Sequence, residues 1–190
     1  MKTNILKPAF IIILAMSFAS FTTIFSKDVK VKDSTITWKG HKVTGSHEGT
    51  ISLSDGTLKF EDQKLVGGHF TMDMTSINVT DLKAGKGKEK LEGHLKSDDF
   101  FGSANYPEAT FEITKVDGKK ETYTVTGDLT IKGKTHPTTF TMTVKNNTAT
   151  ANFKVDRTKY DIKYGSASFF DGLKDKAIYD EFDLNVILKF

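Results

Sequence analysis

Five histidines, one arginine and no cysteine set the chemistry open to this 190-residue chain. A thiol nucleophile and a Cys-ligated metal are excluded at once. His41 and His47 flank Gly45, but two imidazoles without a third ligand make a poor zinc site. His69 falls on the polar side of a strand pattern, and His136 stands alone. His94 lies close in sequence to Asp98 and Asp99, the spacing of a general base held by a carboxylate or of a histidine that merely settles a helix end. Arg157 is the sole arginine, so its planar fork is the group best shaped to hold a carboxylate or pyrophosphate head group, or to pair with a neighbouring aspartate. No His-Glu-x-x-His, Gly-x-Ser-x-Gly or phosphate-loop pattern occurs. The residues therefore assign no catalytic set, no metal site and no cofactor, and the expectation is a protein that is not an enzyme.

These groups are embedded in strands. From Val29 onward apolar and polar residues alternate with period two, which puts one apolar face on each of about eight strands. Ile36 and Trp38, then Ile51 and Leu53, then Leu58 and Phe60 read as three strands, with Asp55-Gly56 as a hairpin turn. Val66, Gly68, Phe70, Met72 and Met74 share one face of the next. Residues 81–95 break the alternation and predict one short helix with Asp81 as its cap, and the lysines along it read as a solvated face. Asn105-Tyr106-Pro107 starts the strands again, Asp117-Gly118 and Asn146-Asn147 mark turns, and a strand carrying Phe182, Leu184, Val186, Leu188 and Phe190 ends the chain. Strands that hide one face only predict an all-β fold, an eight-stranded antiparallel barrel whose closure removes open edges. Alternation alone does not separate it from a two-sheet sandwich.

Lys2 and Lys7 precede the apolar run Ala9 to Phe21, the form of a secretory leader. A signal peptide is predicted over 1–26, cut between residues 19 and 26, with one domain over 27–190 and export to the periplasm or beyond. The formal charge of +3 is no nucleic-acid signature.

Five stretches carry a resemblance. They are Ser34-x-Ile36-x-Trp38-x-Gly40, His94-Leu95-Lys96-Ser97-x-Asp99-Phe100-Phe101, Tyr106-Pro107-x-Ala109-Thr110-Phe111, Gly127 to Gly133, and Asp156-Arg157. With them the chain resembles the YceI-like family of lipocalin-like, polyisoprenoid-binding periplasmic proteins. The resemblance implies a barrel whose interior takes an isoprenoid or other apolar lipid. Transient membrane contact and a monomeric or homodimeric state are further expectations. The resemblance makes candidate ligand contacts of Trp38, Phe70, Met72, Phe111, Tyr123 and Leu129, and likewise of Phe140, Met142, Phe153, Arg157 and Phe182. The first hairpin departs from the family pattern, reading Trp38-Lys39-Gly40-His41 and Gly45-Ser46-His47. From the residues alone the same Phe and Met side chains read equally as a packed core, leaving a ligand-free structural or stress-related module as the alternative. Phe169-Phe170 reads either as a mouth or lid, or as packed core.

Overall fold

The computed structural model describes residues 24–28, 30 and 33–190. But for Ile24 to Ser26, the leader predicted over 1–26 lies outside the described residues. The strands are β1 (Ile24–Asp28), β2 (Thr35–Lys42), β3 (Gly45–Glu61), β4 (Lys64–Val79), β5 (Glu108–Lys119), β6 (Thr122–Ile131), β7 (Lys134–Lys145), β8 (Thr148–Asp156) and β9 (Ile178–Lys189). Helix α1 (Lys88–Lys96) lies between β4 and β5. Strands β2 to β9 pair antiparallel with their sequence neighbours, and β2 also pairs β9, so eight strands close a barrel. This is the predicted barrel and not the sandwich. Strand β1 begins inside the segment assigned to the leader and covers the half of β3, Thr57 to Glu61, that β2 does not reach.

The barrel's two ends differ. One carries the β2–β3 turn, α1 with its flanking loops, and the long β8–β9 connection; we call it the helix end. The far end is closed by short turns and by Phe25, Phe60 and Phe190, whose rings lie 5.6 to 5.7 Å apart in sequence along the cluster.

Three expectations fail for one physical reason, the β-bulge, which inserts a residue and reverses the alternation. Asp55-Gly56 is not a turn. Strand β3 runs through it for 17 residues, and its inward set changes from Ile51 and Leu53 to Leu58 and Phe60 across a bulge at Ser54. The turn lies at Asp62-Gln63, both with positive φ. Val66 is the unpaired residue of a second bulge and is exposed, while Leu65 takes the buried place. In β4 the phase changes again after Met74, where the Asp73 carboxylate accepts from the Thr75 N–H at 2.9 Å and the Ser76 hydroxyl accepts from the Ser52 N–H at 2.8 Å. Side chains there supply what the broken ladder omits. Beyond a bulge at Thr114, strand β5 continues through Asp117-Gly118, and the turn falls at Lys120-Glu121. The helix is shorter than predicted, and Gly87 stands at its N-cap; the Asp81 carboxylate instead meets His47 and the Glu48 N–H.

Two inward glycines let aromatic rings lie flat on the barrel wall. A Cβ at Gly49 would sit 2.6 Å from the Trp38 ring, and one at Gly127 would sit 2.5 Å from the Phe111 ring and 2.5 Å from the Glu112 carbonyl oxygen. One seam is loosely sewn. Strands β7 and β8 form a ladder only between Met142–Lys145 and Thr148–Ala151. Above it the strands meet through side chains: Phe140 and Phe153 stack at 4.2 Å, and Tyr160 packs edge-on against His136 at 5.2 Å. Pro137, which has no N–H to give a ladder, lies on this open stretch of β7.

Gly127→Ala is expected to cost about 1–3 kcal/mol through overpacking, lowering the thermal midpoint by roughly 3–10 °C. Gly93→Ala, in α1 with open space around its Cβ, should raise it by a few degrees. Paired calorimetric scans check both signs.

Candidate functional site

The inward face does not fill the barrel. A cavity of about 200 Å³ runs from the helix end into the interior. Its wall is built by alternation, each strand giving one side chain in two. Trp38 comes from β2, Phe70 and Met72 from β4, Phe111 from β5 and Leu129 from β6; Phe140 and Met142 come from β7, Phe153 from β8 and Phe182 from β9. Ten of the eleven sequence candidates thus line one space, Arg157 being the tenth. Tyr123 does not. It is buried toward the far end, its hydroxyl donating to the Lys120 carbonyl at 2.9 Å across the β5–β6 turn, and it is core. Sequence alternation places a residue inside a barrel but not along its axis, so Tyr123 was indistinguishable from its neighbours. Leu91, Leu95 and Phe100 also reach the cavity, from α1 and the loop after it, where strand alternation carries no information.

Polar groups gather at the helix end. His47 and His94 contribute to the lining there, with Arg157 and Tyr179. His47 Nδ1 lies 2.8 Å from the Asp81 carboxylate, and His41 Nε2 lies 2.6 Å from that of Asp183. Burial, the largest influence on Asp81, works to raise its pKa, but the His47 hydrogen bond and charge and the Glu48 N–H outweigh it and hold the group below its ordinary value. His69 pairs with Asp55 on the outside. His94 packs edge-on against Tyr164 at 4.4 Å and Phe100 at 5.3 Å, while the Asp98 carboxylate accepts from Asn105 at 3.1 Å. His94 and Asp98 are therefore not brought together as base and orienter. Among the described residues no three His, Asp or Glu side chains stand close enough to hold a metal ion. One donor deeper in the wall is unused: the buried indole N–H of Trp38 has no hydrogen-bond partner among the described residues.

Arg157 has a different task from the one its uniqueness suggested. It is 2% exposed, and its fork donates to three carbonyl oxygens: Ile162 in the β8–β9 connection at 2.7 Å, and Ile178 and Tyr179 at the start of β9 at 3.0 Å each. Phe100 covers its face at 5.5 Å. Asp180 stands 3.7 Å away, a charge contact without a hydrogen bond. The guanidinium is committed to the chain's own backbone, where it ties the entry and exit of a loop of more than twenty residues. Burial pushes its pKa down against the pull of Asp180 and Asp156. At Asp180 burial again raises, and the Ser166 and Ser168 hydroxyls with the Arg157 charge win, leaving the carboxyl below 3.8.

Arg157→Ala would strand three carbonyl oxygens and is expected to destabilise by about 3–5 kcal/mol. Limited proteolysis should then cut within residues 161–177 first. A depressed carboxyl pKa stabilises above the unfolded value and loses that contribution as pH falls through the folded one. Asp180→Asn should therefore be less stable than the parent at neutral pH, with the gap closing as titration proceeds below pH 3.8.

A sequence profile of the YceI-like domain matches residues 28–190, from the last residue of β1 to the C-terminal Phe190. Protein YceI of Escherichia coli O157:H7 is 34% identical over 93 residues, covering 48% of this chain and 45% of that one. A UPF0312 protein of Vibrio campbellii is 28% identical over 143 residues, covering 73% and 72%. The chain spans about half the length of the Escherichia coli relative in that match. Among solved structures, Burkholderia cenocepacia BcnA superposes with a TM-score of 0.67 at 24% identity, over 85% of this chain and 98% of that one. A polyisoprenoid binding domain from Saccharophagus degradans, implicated in plant cell wall breakdown, superposes with a TM-score of 0.58 at 13% identity, over 85% and 95%. At these identities the two structures speak for the fold, and the profile, which spans barrel and helix alike, speaks for descent: this chain belongs to the YceI-like family.

Proposed function

We propose that this protein is an exported carrier that holds an isoprenoid-type apolar ligand, a quinone or polyprenyl chain, inside its barrel for transport, storage or shielding. The observation that carries the reading is the cavity itself, walled by Phe, Met, Leu and Ile and polar only at one end. Such a space suits an apolar chain with a single polar head at the mouth. The description of the Saccharophagus degradans domain as polyisoprenoid binding supports the same ligand class. The leader-like N-terminal pattern supports export, to the periplasm or the medium.

Size and energy limit what the carrier does. About 200 Å³ lies below the usual range of ligand pockets, roughly 300–1,000 Å³, so the cavity takes a short apolar segment as it stands. A longer chain requires the Phe140–Phe153 stack to part and the Met72 and Met142 side chains to repack, both soft motions for these residue types. Moving a chain from water gains roughly 0.8 kcal/mol per CH₂, but a chain leaving a bilayer gains little of that. Loading is then close to balanced, as reversible carriage needs. A second reading, a ligand-free structural module, is favoured by the same aromatic stack, which fills part of the interior.

Trp38 is the only tryptophan and lines the cavity, so it reports on occupancy. Titration with a short-chain quinone should quench its fluorescence saturably, and Ala151→Phe, folded but blocked, should not respond. Native mass spectrometry of protein exported through its own leader should release a discrete apolar mass. No quenching by quinones or polyprenols, and no co-purifying lipid, would decide for the structural module.

A further inference from the structure

We infer that the helix end of the barrel is a docking surface for a lipid bilayer. The inference rests on the reading of the cavity as a lipid site and adds where its cargo is exchanged. Phe169 is 49% exposed, Phe170 50% and Tyr179 54%, and with Val43 and Tyr164 they crown the end at which the cavity opens. Elsewhere among the described residues the exposed large apolar side chains are few: Tyr106 beside the same end, Ile24 and Phe25 on β1, and Val66 in its bulge.

The patch is held together as one surface. The Val43 N–H donates to the Ala177 carbonyl at 3.2 Å, and the Ile178 N–H to the Gly165 carbonyl at 2.8 Å. The Phe169 and Phe170 N–H groups both donate to Ser166, while Tyr164 packs on the cavity-lining His94. Arg157 fixes the loop from beneath. A loop this firmly braced leaves its phenyl rings in water by construction, at a hydrophobic cost that a partner surface removes.

The chemistry favours a bilayer over a protein groove. Phe and Tyr suit the membrane interface, where an apolar body meets a wet boundary. Charges of both signs are set among them: Lys42 beside Val43, Lys163 paired with Asp161 at 2.8 Å with its Nζ 5.0 Å above the Phe169 ring, and Lys174 and Lys176 interleaved with Asp171 and Asp175. A rim that carries both signs meets the phosphates and amines of zwitterionic headgroups, and the rings supply the attraction. Docked in this way, the mouth opens against the acyl region, and the cargo crosses without an aqueous step.

Vesicle co-sedimentation tests this, using phosphatidylcholine alone or mixed with phosphatidylglycerol. The full protein should partition onto both, with little dependence on salt. Phe169→Asp with Phe170→Asp should lower partitioning about tenfold or more. This variant should still show Trp38 quenching by detergent-dispersed quinone at wild-type affinity, which separates docking from cargo binding. Equal sedimentation of the parent and the double aspartate variant, or none by the parent, overturns the inference. So does a dimer by ultracentrifugation that the double aspartate variant dissolves, since a second copy would then be the occupant. If quinone fails to quench Trp38 even in the parent, the cargo reading falls, and the docking inference that rests on it falls too.

Discussion

A sheet that hides one face must either be covered or be curled until it covers itself, and this chain curls. Closure through β2 and β9 pairs every strand of the ring on both sides, with partial ladders at the β4–β5 and β7–β8 seams, and β1 protects the stretch of β3 that its neighbour leaves bare. Everything else follows from that geometry. Long strands bent around an eight-stranded ring need bulges, and β3 and β4, the longest at 17 and 16 residues, carry most of them. Inward rings need room, so glycines stand opposite Trp38 and Phe111. The interior left over is apolar because only the inward half of each strand contributes to it.

The two ends of the ring then divide the work. Short turns and stacked phenylalanines seal the far end, whereas the helix end carries the two long connections. A long connection over an apolar mouth has to be held by something other than a core. Arg157 does this with a charge whose donors face main-chain oxygen, a solution open to arginine and not to lysine, whose single ammonium cannot span three carbonyls. Asp180, braced by Ser168 at 2.5 Å, offsets the buried charge without taking over its hydrogen bonds.

Much of this was legible in the sequence. Period-two alternation reveals strands, and the scarcity of other signals leaves a barrel as the economical way to bury one face. Ten of the eleven candidate contacts fall on the cavity for that reason. What alternation does not carry is phase. Asp55-Gly56 looks like a turn because Asp-Gly is a favoured hairpin pair, yet the chain runs on through a bulge there without reversing. Depth is also missing, so Tyr123 looked like lining and is core. Arg157 was conspicuous as the lone arginine, yet its role depends on carbonyl groups that any sequence possesses, and no side-chain pattern announces those. Phe169 and Phe170 lie half exposed and are not packed core.

The partial ladder between β7 and β8 leaves a stretch of the cavity wall held by side chains. Where two strands share backbone hydrogen bonds, their separation is fixed near 4.8 Å, and widening them breaks bonds. From Lys134 to Thr141 no such bonds cross to β8. The circumference there is set by a phenyl stack and a tyrosine ring, contacts that yield continuously and reform in a new place. The wall has in effect an expansion joint, and its bore adjusts to contents of different girth while the remaining ladders stay intact.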